Sequence, residues 1–217
     1  MNIAEVKLKI DASQPSHIDL IRLMVAINDI QRANRCMIAD IVPPPNVPVI
    51  GFDKDSRGYN LYFVRLVCGH LKEGLNAFRK LVQDPIARKI ILNWEGEKKR
   101  VYEVLCKASD PNDPQCFFKK ELADLRDDAC FHYPYEKFQN QITNDSKEGL
   151  PAIIYAGETY GETYYRYADD LIARIIFKTA NGTEDGFKAL IAQVRDLQRD
   201  LTIFVDAYLS DSGLIDG

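Results

Sequence analysis

Residues 56–82 read SRGYNLYFVRLVCGHLKEGLNAFRKLV. Leu61, Val64, Leu71, Leu75 and Phe78 fall at steps of three, four and seven. That period marks one face of an α-helix, here the most apolar face in the chain. Asp84-Pro85 follows at once. Aspartate suits the cap position and proline the first helical position, so a new helix starts there. It is expected over residues 85–107, with Ile86, Ile90, Trp94, Val101 and Leu105 buried. So short a connection makes the pair an antiparallel helical hairpin.

Working outward, Val6-Lys7-Leu8-Lys9-Ile10 alternates with period two and predicts a short strand. Ser16 and Asp19 have capping-box spacing, although Asp replaces the usual Glu or Gln. A helix to about Met37 is expected, with Ile18, Ile21, Met24 and Val25 along its buried stripe. Pro43-Pro44-Pro45 and Pro48 forbid helix, which leaves a loop over 39–55. Downstream, Pro111 and Pro114 break the chain within 109–114. A fourth helix is expected over 115–130, ending near His132 because Pro134 biases Tyr133 away from helical backbone. A short helix over 135–142 is expected next. Residues 150–155, with Ile153-Ile154-Tyr155, read as a strand pairing with the N-terminal one. Helices over 163–179 and 184–209 complete the set, separated by Asn181-Gly182 and capped by Thr183. The expected fold is mainly α: a single domain over 1–217, a bundle of about six helices with its core over 16–209 and a minor two-stranded β element.

Hydrophobic residues form 46% of the 217 and charged ones 28%, a globular balance that argues against disorder. The net charge of −4 argues against a broad electrostatic grip on nucleic acid, though a small cationic cleft fits on an acidic body. The cysteines Cys36, Cys68, Cys106, Cys116 and Cys130 are odd in number and have no CxxC spacing. They read as reduced thiols in a cytoplasmic protein. The first residues carry Glu5, Lys7, Lys9 and Asp11 and lack the apolar core of a leader, and no stretch approaches a membrane span. No metal-ligand motif or cofactor loop stands out. Asp169-Asp170 and the carboxylates Asp124, Asp127 and Asp128 fix no ligand set, and Gly157 to Gly161 has the wrong spacing for a phosphate loop.

The chemistry concentrates in Arg126-Asp127-Asp128-Ala129-Cys130-Phe131-His132-Tyr133. Arginine is a permanent planar cation that grips phosphate with two prongs. Histidine gives or takes a proton near neutral pH. Together they suffice for metal-free cleavage of a phosphodiester. On an unbroken helix, residues six apart lie about 120° apart. Arg126 and His132 converge only if the backbone leaves the helix near Cys130 or Phe131. The same residues also fit a structural use, with Arg126 pairing with a neighbouring acid and His132 capping the last helical carbonyls.

The run resembles the signature of the HEPN superfamily: arginine, a polar residue, a short spacer, then histidine. Arg126, Asp127 and His132 stand in those places, after Leu122 and Leu125 on a helix. The resemblance implies a helical bundle, a dimer with two facing motifs and, in many members, a metal-independent ribonuclease of toxin–antitoxin or phage-defence systems. It implies Arg126 as phosphate clamp, His132 as general acid or base, and Asp127 and Tyr133 as substrate-binding or orienting residues. RNA is then the substrate, a second copy the partner, and no cofactor is required. The alternative is a non-catalytic dimeric binding or regulatory module with a protein partner.

A second pair, Arg65 and His70, lies in the 56–82 helix with Glu73 one turn on. His70 and Glu73 share a helix face. The three are expected as a polar cluster in the bundle interior, either a structural group or one that backs the Arg126/His132 site. Lys98-Lys99-Arg100 reads as a solvated face or part of an RNA path, and Tyr155, Tyr160, Tyr164, Tyr165 and Tyr167 as interface or base-stacking aromatics.

Overall fold

The computed structural model describes residues 7–39, 57–123, 135–152, 166–179 and 182–215. Within them the protein is helical: α1 (Pro15–Ala39), α2 (Arg57–Leu81), α3 (Pro85–Ile91), α4 (Gly96–Ala108), a π-helical segment (Phe118–Ala123), α5 (Tyr135–Lys147), α6 (Arg166–Thr179) and α7 (Glu184–Ser212). The chain divides into two compact units. Unit 1 comprises Met1–Ile30, His70–Lys120 and Gln193–Gly217; unit 2 comprises Gln31–Gly69 and Glu121–Ala192.

Several local signals act as their chemistry requires. Asp84 Oδ1 accepts from the amides of Ile86 at 2.8 Å and Ala87 at 3.1 Å, ahead of Pro85 at the start of α3. Thr183 Oγ1 accepts from the Gly186 amide at 3.0 Å and caps α7. Gly182 takes φ +67°, a value costly for any residue with a Cβ, and its amide closes back on the Phe177 carbonyl at 2.9 Å.

Other elements differ from expectation. The 85–107 segment is two helices, because Gly96 sits at φ +55° and Asn93 Nδ2 caps the Lys89 carbonyl at 3.0 Å. Ile86 consequently stands 53% exposed, while Trp94, Val101 and Leu105 are buried. Helix α1 opens on Pro15, so Ser16 is a buried first-turn residue and not the cap. The N-terminal turn is closed instead by Asp11, whose carboxylate accepts from the Ser13 hydroxyl at 2.7 Å and amide at 2.8 Å, and whose own amide donates to His17 Nδ1 at 3.0 Å. These Ser13 bonds hold the Asp11 carboxyl below its usual range.

The buried face of α1 is Leu20, Leu23, Ala26, Ile27, Ile30 and Ala33. The expected stripe faces outward, with Ile18 47% and Val25 52% exposed. No strand forms among the described residues. Leu8 makes an isolated antiparallel bridge to Ile215, and the Lys9 amide donates to the Leu214 carbonyl at 2.8 Å. The turn at Gly213, φ +70°, brings the end of the chain there. Residues 150–152 are irregular, and 153–155 lie outside the described residues.

The expected fourth helix begins as π-helix. Phe117 and Leu122 are both buried, although five residues on an α-helix would set them about 140° apart. The wider i→i+5 turn narrows that angle.

The core of unit 1 is aromatic. Phe204 meets Phe78 edge-on at 4.8 Å between ring centroids and Trp94 at 5.3 Å, and it stacks on Tyr208 at 6.3 Å. The α4 ring of Tyr102 lies 6.4 Å from Phe78, which closes the α2–α4 hairpin. Gly74 lets three helices approach. A Cβ there would stand 3.2 Å from Leu201 Cδ1 and 3.4 Å from Ala26 Cβ.

Unit 2 contains a buried carboxylate. Asp145 on α5 is 1% exposed and accepts from Gln141 Nε2 at 2.7 Å, from Tyr167 Oη at 3.3 Å and from Arg174 Nη1. Burial, with the Asp145 charge beside it, pushes the Tyr167 hydroxyl up. The cluster ties α5 to α6. Asp145→Ala strands a partly buried guanidinium and an amide donor, and is expected to cost about 2–3 kcal/mol. Urea unfolding measures it. A loss under about 0.5 kcal/mol would place the pair among ordinary surface ion pairs.

Candidate functional site

Arg126, Asp127, His132 and Tyr133 lie outside the described residues, as do Asp124, Asp128 and Cys130. The segment that holds them is entered from the π-helical Phe118–Ala123 and leads to α5 at Tyr135. The 40–56 part of the proline-rich loop and Tyr155, Tyr160, Tyr164 and Tyr165 also lie outside.

The residues expected to back the site are described. Arg65 and His70 are half-buried and Glu73 is exposed, so the three do not share an interior position. A helix that buries Val67, Cys68, Leu71 and Leu75 turns residue 73 outward. His70 faces α1, with its Nδ1 3.8 Å from Asp29 Oδ2. That is too long for a hydrogen bond but within range of an ion pair once the ring is protonated.

Two groups in unit 1 combine charge with burial, and of their members only Arg100 stood in a run that the sequence singled out. Along one face of α2, Lys72 Nζ and the Arg79 guanidinium lie 5.6 and 5.7 Å from the centroid of the Phe118 ring. Cations at such distances are drawn to the ring. Asp200 on α7 is 2% exposed, and its Oδ1 lies 3.5 Å from Arg100 Nη2 and 3.6 Å from Arg199 Nη2.

The Lys98-Lys99-Arg100 run is therefore more than a solvated face. Lys98 Nζ donates to Asp211 at 2.7 and 2.9 Å, and Trp94 Nε1 donates to the same carboxylate at 2.9 Å. Lys98 foremost, with Trp94 assisting, holds the Asp211 carboxyl below its usual range. Tyr167 belongs to the Asp145 cluster.

The thiols of Cys36, Cys68, Cys106 and Cys116 are free. Burial pushes the Cys106 thiol up, and its neighbour Tyr102 is pushed up to about 12, mainly by burial. A thiol held protonated is a poor nucleophile. Among the described residues no group of three His, Cys, Asp or Glu side chains is gathered to hold a metal ion, and no helix is long and apolar enough to cross a membrane. Comparison of the chain with protein-family models, curated proteins and solved structures finds no match.

Proposed function

We propose that the protein is a HEPN-like, metal-independent endoribonuclease in which Arg126 and His132 act on an RNA phosphodiester. The observation that carries the reading is the order Arg126-Asp127 … His132. The helical build of the described residues and the helical elements on both sides of the run agree with it. A ribose 2′-OH attacks the adjacent phosphorus. His132 moves the proton, and Arg126 stabilises the charge that gathers on the phosphoryl oxygens. Asp127 and Tyr133 orient the substrate. The 5′-oxygen leaves, and the other product ends in a 2′,3′-cyclic phosphate.

The experiment is incubation of the purified protein with single-stranded RNA in EDTA, with end-group analysis of the fragments. Cyclic phosphate ends are expected. The second reading, a non-catalytic dimeric binding module, draws on the acidic balance of the chain, net charge −4. An intact RNA pool over varied sequences would favour it.

Both readings use a symmetric homodimer, which sets two copies of the motif across one cleft. Light scattering at roughly tens of micromolar, well above the dissociation constant of ordinary dimers, is expected to report twice the 24.7 kDa chain mass. A monomer there would remove the paired-motif arrangement.

A further inference from the structure

Helix α5 opens on Tyr135, whose ring is 77% exposed. It is the most exposed aromatic side chain among the described residues, ahead of Tyr62 at 49%. Its side chain makes no hydrogen bond and no ring contact with a described residue. Phe138 and Ile142 follow three and seven positions on, so the three share one face of α5. A single exposed aromatic is ordinary on a protein surface. The place of this one in the chain gives it a use.

Tyr135 stands three residues after His132. Three residues span at most about 11 Å, whatever backbone they adopt. That bound holds the Tyr135 Cα close to the His132 Cα. Side chains on a helix tilt toward its N-terminus, so a ring on the first residue of α5 tilts toward the end where the chain from His132 enters. A stacked strand advances about 3.4 Å per nucleotide. A base on Tyr135 is then within a few nucleotides of a phosphate held at His132.

Charge gives RNA little hold at this point. Glu136 and Lys137, next to the ring, cancel, and the chain carries a net charge of −4. Stacking needs no charge, because every base offers a π-face to an aromatic ring. It is the kind of grip open to an acidic protein that acts on RNA. A protein partner suits the ring less well. In the first two turns of α5, Glu136, Lys137, Gln139 and Asn140 are all exposed, whereas the core of an interface is poor in charge.

Resting on the ribonuclease reading, we infer that Tyr135 stacks a nucleobase of the RNA within a few nucleotides of the scissile phosphate. The ring takes any base, and its hydroxyl is not used. A base inside a duplex already has a neighbour on each face, so the substrate is unpaired at that nucleotide.

The test measures affinity without cleavage. Full-length His132→Ala protein in EDTA is titrated into a fluorescent oligoadenylate, and into a strand of equal length with the same phosphates and no bases. Anisotropy is expected to show the oligoadenylate bound more tightly. Adding Tyr135→Ala is expected to weaken that binding about 5- to 150-fold, the range of one base–aromatic stack, and to leave the abasic strand unaffected. Tyr135→Phe keeps the ring and should bind as the parent. So should Tyr62→Ala, which removes an exposed ring elsewhere. Tyr135 is exposed, so its variants should keep the parent's unfolding curve. In a protein that retains His132, Tyr135→Ala is expected to raise KM by a similar factor with kcat little changed. Equal affinity for the two strands, or for Tyr135→Ala and its parent, overturns the inference. If the wild type nevertheless cleaves RNA, the ribonuclease reading stands without it. Binding that depends on bases and on Tyr135, in a protein that cleaves nothing, keeps the base subsite and removes the enzyme. Absence of any RNA binding overturns both. A loss shared by Tyr135→Phe overturns the stack, since the hydroxyl would be the contact. Self-association abolished by Tyr135→Ala, with no RNA affinity, overturns it and makes the ring a contact between copies.

Discussion

RNA cleavage in EDTA is expected to fall by about 10²–10⁴ when His132 is replaced by alanine, the usual worth of a positioned proton carrier. Arg126→Ala is expected to cost about 10²–10³, the worth of one preorganised donor at a developing oxyanion. The two losses should differ in pH dependence. A histidine proton carrier makes a rate change across neutral pH, so the wild-type rate is expected to do so and the residual activity of His132→Ala is not. Arg126 stays charged throughout, so its loss should lower the profile without changing its shape. His17→Ala is the control. It removes the acceptor of the Asp11 amide at the start of α1, a local effect on the helix terminus, and should leave cleavage unchanged. If wild-type and His132→Ala proteins leave varied RNAs equally intact, the binding-module reading replaces the enzyme. If cleavage survives His132→Ala but stops in EDTA, a metal-dependent nuclease is responsible and the roles given to Arg126 and His132 are wrong.

Phe204→Ala is expected to be the most damaging single change to stability, at about 3–5 kcal/mol. Phe204 is fully buried and meets Phe78, Trp94 and Tyr208. Truncation loses the transfer energy of the ring, leaves a cavity among stiff aromatics that cannot collapse into it, and ends three favourable ring contacts. Phe204→Leu fills part of the space and should cost about 1–2 kcal/mol. Trp94 is the single tryptophan of the chain and lies 5.3 Å from Phe204, so its emission reports the loss of this core directly. A Phe204→Ala protein with a midpoint near wild type would mean that the ring cluster contributes little.

Much of the helical architecture was legible because local chemistry decides it. Asp84-Pro85 and Thr183 act where they stand in the sequence, and their bonds need only neighbouring amides. The face of α1 was not legible. Ile18, Ile21 and Val25 form one stripe at helical spacing, and Leu20, Leu23, Ile27 and Ile30 form another. Only contact with α2 and α7, made close by Gly74, selects the second. The break before α4 turns on one glycine at positive φ, and Gly96 sits in a sequence that otherwise keeps helical period. The N-terminal strand failed for a different reason. Its alternation is real, but its partner, Ile215, is three residues beyond α7, too far along the chain for pattern to indicate. The candidate site was legible as residue types in order, Arg126, Asp127 and His132. The polar groups the structure brings together, Asp145 with Arg174 and Trp94 with Asp211, join residues 29 and 117 positions apart, and no local motif announces such pairs.

The discontinuity of unit 1 also has a consequence during synthesis. Its core is drawn from three separated stretches, and the last of them brings Leu201, Phe204 and Tyr208. In a chain made from its N-terminus at about 5–20 residues per second, Phe78 waits roughly 6–25 s for Phe204 to be joined. Throughout that interval the apolar faces of α1 and α2 have no α7 to cover them. Until α7 has left the ribosome, the cover those faces have is the packing of α2 against α1 and α4.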